Sequence, residues 1–225
     1  MTASNHTTHD NAVASSGIFS KITTLTSVGV AVMLAGLIAG IVSPIISLVG
    51  AIIYLILGFV LMPKIEDESW SPTTTIFASG LFCFSGGTCL GPIAAMVAAK
   101  AGVSVVIAVL AGCTGVMAAC GVIAQIFHWV RFERMAGWLL VAMLGLLAVA
   151  IVGIFVTMSS GVNLVVSGIG IIVMSLLFLV YFGFAIREAE NTWKDALMLS
   201  LGLMSALIAL ISYALQLVLA LMSDN

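Results

Sequence analysis

Seven long apolar runs, at about 24–43, 44–62, 73–99, 102–127, 135–157, 161–186 and 196–222, contain no Asp, Glu, Lys, Arg or His. A helix rises 1.5 Å per residue, so crossing the roughly 30 Å hydrocarbon core of a bilayer takes about 20 apolar residues, and each run reaches or nears that length. A soluble fold fails on charge: 62% of the 225 residues are hydrophobic and 7% charged, where a soluble domain carries roughly 25% charged. The expectation is an all-α integral membrane protein, a bundle of seven transmembrane helices forming one domain over residues 18–225. Residues 1–17, rich in Ser, Thr, Asn and His, are expected to be a disordered polar tail on the cytoplasmic side. No signal peptide is evident, and the first helix is expected to serve as its own signal.

Proline and serine mark the joints. Ser43-Pro44 separates the first two runs with almost no loop, Pro63 closes the second, and Ser71-Pro72 supplies an N-cap and a first-turn proline for the third. Residues 24–62 also allow one tilted helix followed by a re-entrant piece. Lys21, Lys64, Arg131, Arg134, Arg187 and Lys194 fall on one side of a seven-span chain and Lys100 alone on the other, which makes the N-terminus cytoplasmic and the C-terminus external or lumenal. Trp70, Trp129, Trp138 and Trp193 flank the same cytoplasmic ends, where interfacial aromatics belong. Cys83, Cys89, Cys113 and Cys120 lie inside apolar runs without a CxxC, so they are expected to be buried free thiols.

Along the last run, Gly202, Ser205, Ala209, Ser212 and Gln216 recur at steps of three and four, on one helical stripe. In lipid no hydrophobic force presses helices together, so close contact relies on small residues and a few hydrogen-bonding side chains. That stripe predicts a central last helix, surrounded by the other six. Ser205, Ser212 and Gln216 are candidate pore-lining or core-lining residues, able either to line a route or merely to satisfy neighbouring groups. Gly36 and Gly40, and Gly168 and Gly170, permit further close contacts. The run Gly86-Gly87-Thr88-Cys89-Leu90-Gly91-Pro92 predicts a kink, because Pro92 cannot donate to the Thr88 carbonyl; Gly91 and Pro92 are a candidate hinge or a packing kink.

The charges also exclude functions. Glu66, Asp67, Glu68, Glu133, Glu188, Glu190 and Asp195 sit in connections or at helix ends, whereas ion-coupled pumps keep an ionisable group within the membrane. Asp195 is expected to cap the last helix. His128 stands apart from any nucleophile, and no GxSxG or HExxH occurs, which argues against an enzyme, a metal site or a cofactor. A net charge of −2 without basic runs gives no reason to expect nucleic acid. The expected partners are the lipid bilayer, calcium ions and other membrane proteins.

The arrangement resembles the Bax inhibitor 1 family of transmembrane Bax-inhibitor-motif proteins, including its bacterial members. The resemblance rests on the seven runs, on Gly91-Pro92, similar to the family's LGP motif, on Arg131-Phe-Glu-Arg-Met-Ala-Gly137, and on Ala196 to Ser205 after a short charged connection. It implies a multi-pass protein of the bacterial inner membrane or the endoplasmic reticulum, with a role in ion homeostasis or in stress and cell-death control. It also implies a calcium leak latched by two aspartates that share a proton. Those aspartates would fall at Gly183 and Gly202, and an asparagine at Ser205, so this chain lacks both carboxylates. Two functions follow as expectations: a passive cation leak with an impaired pH latch, or a non-conducting regulator that binds other membrane proteins, such as a protease or cell-death factors, through its helices.

Overall fold

The computed structural model describes residues 4–67, 70–127, 132–155, 159–187 and 192–223, with side chains from Gly17 onward except at 62, 132–133, 147, 150–155 and 223. Among these described residues there are seven α-helices, α1 (Ser4–Val42), α2 (Pro44–Glu66), α3 (Pro72–Ala101), α4 (Val103–Ile126), α5 (Ala136–Phe155), α6 (Ser160–Arg187) and α7 (Trp193–Ser223), with a 3₁₀ turn at Phe132–Met135 before α5. Among the described residues there is no strand. Among the described residues six of the helices are long and apolar enough to cross a membrane, and within the 20-residue α5 the stretch Ala136–Leu146 is apolar.

Helix ends follow the local chemistry, with three departures from the sequence reading. Helix α1 begins at Ser4, so its backbone continues through the stretch expected to be a disordered tail; propagating a nucleated helix adds one bond per residue. Pro63 lies inside α2, which runs on to Glu66, and the Pro63 carbonyl accepts from the Asp67 amide at 2.9 Å. Thr192, rather than Asp195, caps α7: its hydroxyl oxygen accepts from the Asp195 amide at 3.1 Å. This leaves the Asp195 carboxylate in the first turn, where the helix dipole favours it. As expected, Ser71 caps α3 by accepting from the Thr74 amide. The ladder between α1 and α2 stops at Ser43, and both helices have crossing length, so 24–62 is two helices rather than one with a re-entrant piece. His128, Trp129, Arg131, Glu188 and Glu190 lie outside the described residues.

Helices α1 and α3 approach backbone to backbone. Gly36 of α1 lies against the Phe84 carbonyl and Gly40 against Thr88, while Gly87 of α3 lies against Met33 and Gly91 against Gly40. Any side chain at these four positions would hold the backbones apart. On the other flank of α3, Gly50 of α2 seats the Thr88 side chain, and Gly86 takes Ile208 of α7 and Tyr54 of α2.

Helix α7 packs against α1, α2, α3, α4 and α6. Its apolar side is the most buried part of the protein, with Leu207, Ile211 and Leu215 fully enclosed. Among the described residues α5 does not reach it; α5 rests on α6 through Leu139 and Leu146 against Val173 and Val180. Five helices rather than six therefore meet α7, because α6 stands between. The four cysteines are free thiols, Cys83, Cys113 and Cys120 buried and Cys89 half-buried.

This packing sets a contrast between glycines. Gly91→Ala puts a methyl carbon 2.6 Å from the Gly40 Cα and is expected to lower stability in detergent by about 1–3 kcal/mol. Gly112→Ala has open space around it and should leave the unfolding temperature unchanged or slightly raised. Equal losses in the two variants would contradict the close approach.

Candidate functional site

Helix α3 continues unbroken through Pro92. The Thr88 carbonyl, which loses its amide partner there, instead accepts from the Ser47 hydroxyl of α2 at 2.8 Å, in a buried contact. An unpaired carbonyl at membrane depth is costly, and a neighbouring serine is one way a helix tolerates a proline. The Thr88 hydroxyl turns back to the Ser85 carbonyl at 2.7 Å. Gly91 and Pro92 thus sit at a tied junction of α1, α2 and α3.

Gly202 and Gly183 are both buried. Gly202 forms the floor of a socket filled by Tyr181 of α6: a Cβ built there would lie 2.6 and 2.7 Å from ring carbons. The reverse arrangement occurs further along the same pair, where the Tyr213 ring of α7 fills the space beside Gly170 of α6 at equally short distances. Both pairings follow from antiparallel helices in which glycine and tyrosine stand three turns apart on one face, Gly170 with Tyr181 and Gly202 with Tyr213. That spacing was the available sequence signal for these tyrosines.

The stripe on α7 does not converge on one space. Gly202 faces α6, whereas the Ser205 hydroxyl lies 3.4 Å from the Tyr54 hydroxyl of α2, whose ring stacks on Phe82 of α3 at 4.7 Å. Ser212 accepts from the Gln216 amide at 3.3 Å within α7 itself. Ser205, Ala209, Ser212 and Gln216 are half-buried, less enclosed than the Leu and Ile opposite. Polar groups on this helix are satisfied in separate places.

A cleft of about 580 Å³ opens instead between α1 and α4, which do not pack against each other among the described residues, with Phe182 of α6 and Leu203 of α7 behind it. Ile22, Thr26 and Val30 form one wall, and Thr114, Met117 and Gly121 the other. The Phe19 and Phe182 rings stack at one end, 6.0 Å apart and 10° from parallel. Thr26 is 5% exposed and its hydroxyl has no hydrogen-bond partner, while the Thr114 hydroxyl is shared between the Leu110 and Ala111 carbonyls. Thr23, Thr26 and Ser27 share one face of α1, but the facing wall on α4 is set only by the packing of the helices.

The tyrosine socket makes a specific claim about Gly202. Gly202→Asp alone is expected to lower the unfolding temperature, because the new side chain displaces the Tyr181 ring and buries a carboxyl group. Adding Tyr181→Ala should recover part of that loss, as coupled neighbours do. Strictly additive losses, measured by thermal unfolding, would show that the two sites do not compete for one space.

Compared with curated proteins, the chain matches none. Residues 16–224 match the family described as "Inhibitor of apoptosis-promoting Bax1". That span runs from within α1 to the end of α7 and touches all seven helices, and so this multi-pass membrane protein belongs to the Bax inhibitor family.

Proposed function

We propose that this Bax inhibitor family protein is a seven-span membrane regulator of ion homeostasis and stress that acts on other membrane proteins through its helix surfaces and has no proton-operated calcium latch. The observation that carries this reading is the Tyr181 ring seated on Gly202. On the family resemblance, Gly183 and Gly202 stand where paired aspartates would share a proton. Such a pair draws its sensitivity from like charges a few ångström apart, which raise one pKa. Here an aromatic ring occupies the space that one of the carboxylates would need.

Action through helix surfaces is supported by α4. Ala108, Gly112, Gly115 and Ala119 are all exposed on its outer face, and nothing lies beside either glycine. Small residues in that pattern let a second transmembrane helix approach closely. In this reading α7 is the axis of the bundle and α5 completes the seventh crossing. The N-terminus lies in the cytoplasm, at the inner membrane of a bacterium or the endoplasmic reticulum. The Lys194 ammonium donates to the Glu66 carbonyl at 2.8 Å and the Lys21 ammonium lies 5.6 Å from the centre of the Trp193 ring. These contacts gather the basic ends of α1, α2 and α7 on one face, in keeping with the orientation rule.

In liposomes the purified protein is expected to pass calcium no faster than protein-free vesicles at about pH 6 or about pH 8, the window in which histidine normally titrates. Flux above that level but flat with pH would favour a passive leak without a latch; a steep pH response would contradict the proposal outright. For topology, reporters fused to the two termini should land on opposite sides of the membrane, the N-terminal one in the cytoplasm. Both landing on one side would exclude seven crossings.

A further inference from the structure

We propose that the cleft between α1 and α4 is a lateral lipid site, in which one acyl chain of a membrane phospholipid lies between the two helices and its ester carbonyl is held by α1 hydroxyls. The dimensions point to this occupant. The cleft follows α1 from Phe19 to Val30 and, antiparallel to it, α4 from Gln125 to Thr114, a length of about 16 Å at 1.5 Å per residue. That takes in the ester region and the upper part of one leaflet, well short of a hydrocarbon core of about 30 Å. A partner helix would need the full thickness of the membrane.

Access and polarity agree. Helices α1 and α4 leave the gap unbridged among the described residues, and both have crossing length, so the opening between them faces the bilayer. The stacked Phe19 and Phe182 rings stand at the end nearest Lys21, which turns the cleft sideways toward lipid rather than endwise toward water. Behind it are the apolar Phe182 and Leu203. Polar groups concentrate at the same end: Thr23 and Gln125 are exposed there, with Thr26 and Ser27 about one turn deeper. This is the level at which the ester groups of a phospholipid meet the hydrocarbon. The Thr26 hydroxyl, buried and unpartnered, supplies the donor. A helical threonine has two accessible χ1 rotamers, and lipid binding requires the rotation that turns this hydroxyl from its buried position toward the cleft that Thr26 lines. An ester carbonyl then satisfies a group whose burial without a partner is costly.

The test is native mass spectrometry of the full chain, delipidated in detergent and titrated with dioleoyl phosphatidylglycerol. The unmodified protein is expected to retain one lipid. Ala118→Phe, which fills the cleft from its exposed rim, should weaken retention about tenfold. Thr26→Val, close in shape, should weaken it several-fold while leaving the lipid-free protein as stable or more so. Undiminished retention in either variant, or none in the unmodified protein, would overturn the proposal. An independent measurement uses Ser27→Cys in liposomes. A charged, membrane-impermeant thiol reagent should leave it unmodified relative to the parent, whereas rapid labelling from the aqueous phase would reveal a water-filled vestibule in place of a lipid site.

Discussion

The contact of α1 with α3 through Gly36, Gly40, Gly87 and Gly91 is the constraint on which the other packing relations depend. Lipid tails are as apolar as leucine, so a membrane bundle gains little from hiding apolar side chains, and close van der Waals contact must supply the attraction. Where two backbones touch, each glycine forfeits a side chain and brings many atoms of both helices within range. With α1 fixed on α3, the opposite flank of α3 is left to α2 and α7. The same stretch of α3 serves both, Thr88 seated at Gly50 of α2 and Gly86 against Ile208 of α7.

Proline within that stretch would weaken it were its neighbours not arranged to compensate. Pro92 frees the Thr88 carbonyl one turn earlier, and Ser47 of α2 donates to it. A feature that a sequence presents as a break therefore becomes a polar link between helices. The link is specific because α2 enters directly from Ser43 with no loop to absorb a change of register.

At the other side of the bundle, glycine and tyrosine exchange places between α6 and α7. Each tyrosine ring occupies the volume that a side chain on the facing helix would need. This interlock has a chemical consequence. A close pair of carboxylates needs room and hydrogen-bonding partners at membrane depth, and in this chain an aromatic ring takes that room on the α7 side. The polar atoms of α7 are dispersed in turn: Ser205 reaches Tyr54, and Ser212 and Gln216 satisfy each other. An open cleft lies elsewhere, between α1 and α4.

How much of this was legible in the sequence follows from which forces are local. Charge-free runs about 20 residues long require helices, because in lipid a helix pairs nearly all of its backbone amides and carbonyls within its own segment; that reasoning identified the apolar helices, the joint at Ser43-Pro44 and the Ser71 cap without reference to any neighbour. Helix ends near water were less legible. Ser4–Gly17 and Pro63–Glu66 continue as helix although composition alone argues for a polar tail and a proline stop. The stripe of small and polar residues on α7 was visible as a pattern, but its meaning depended on which helix faced each position, and Gly202 and Ser205 turned out to face different neighbours. Periodicity shows which residues share a face of one helix. Which face meets which partner, where a tyrosine fills the space beside a glycine, and where two helices fail to meet and leave a cleft are decided by the joint packing of all the helices, and only the tertiary structure contains that information.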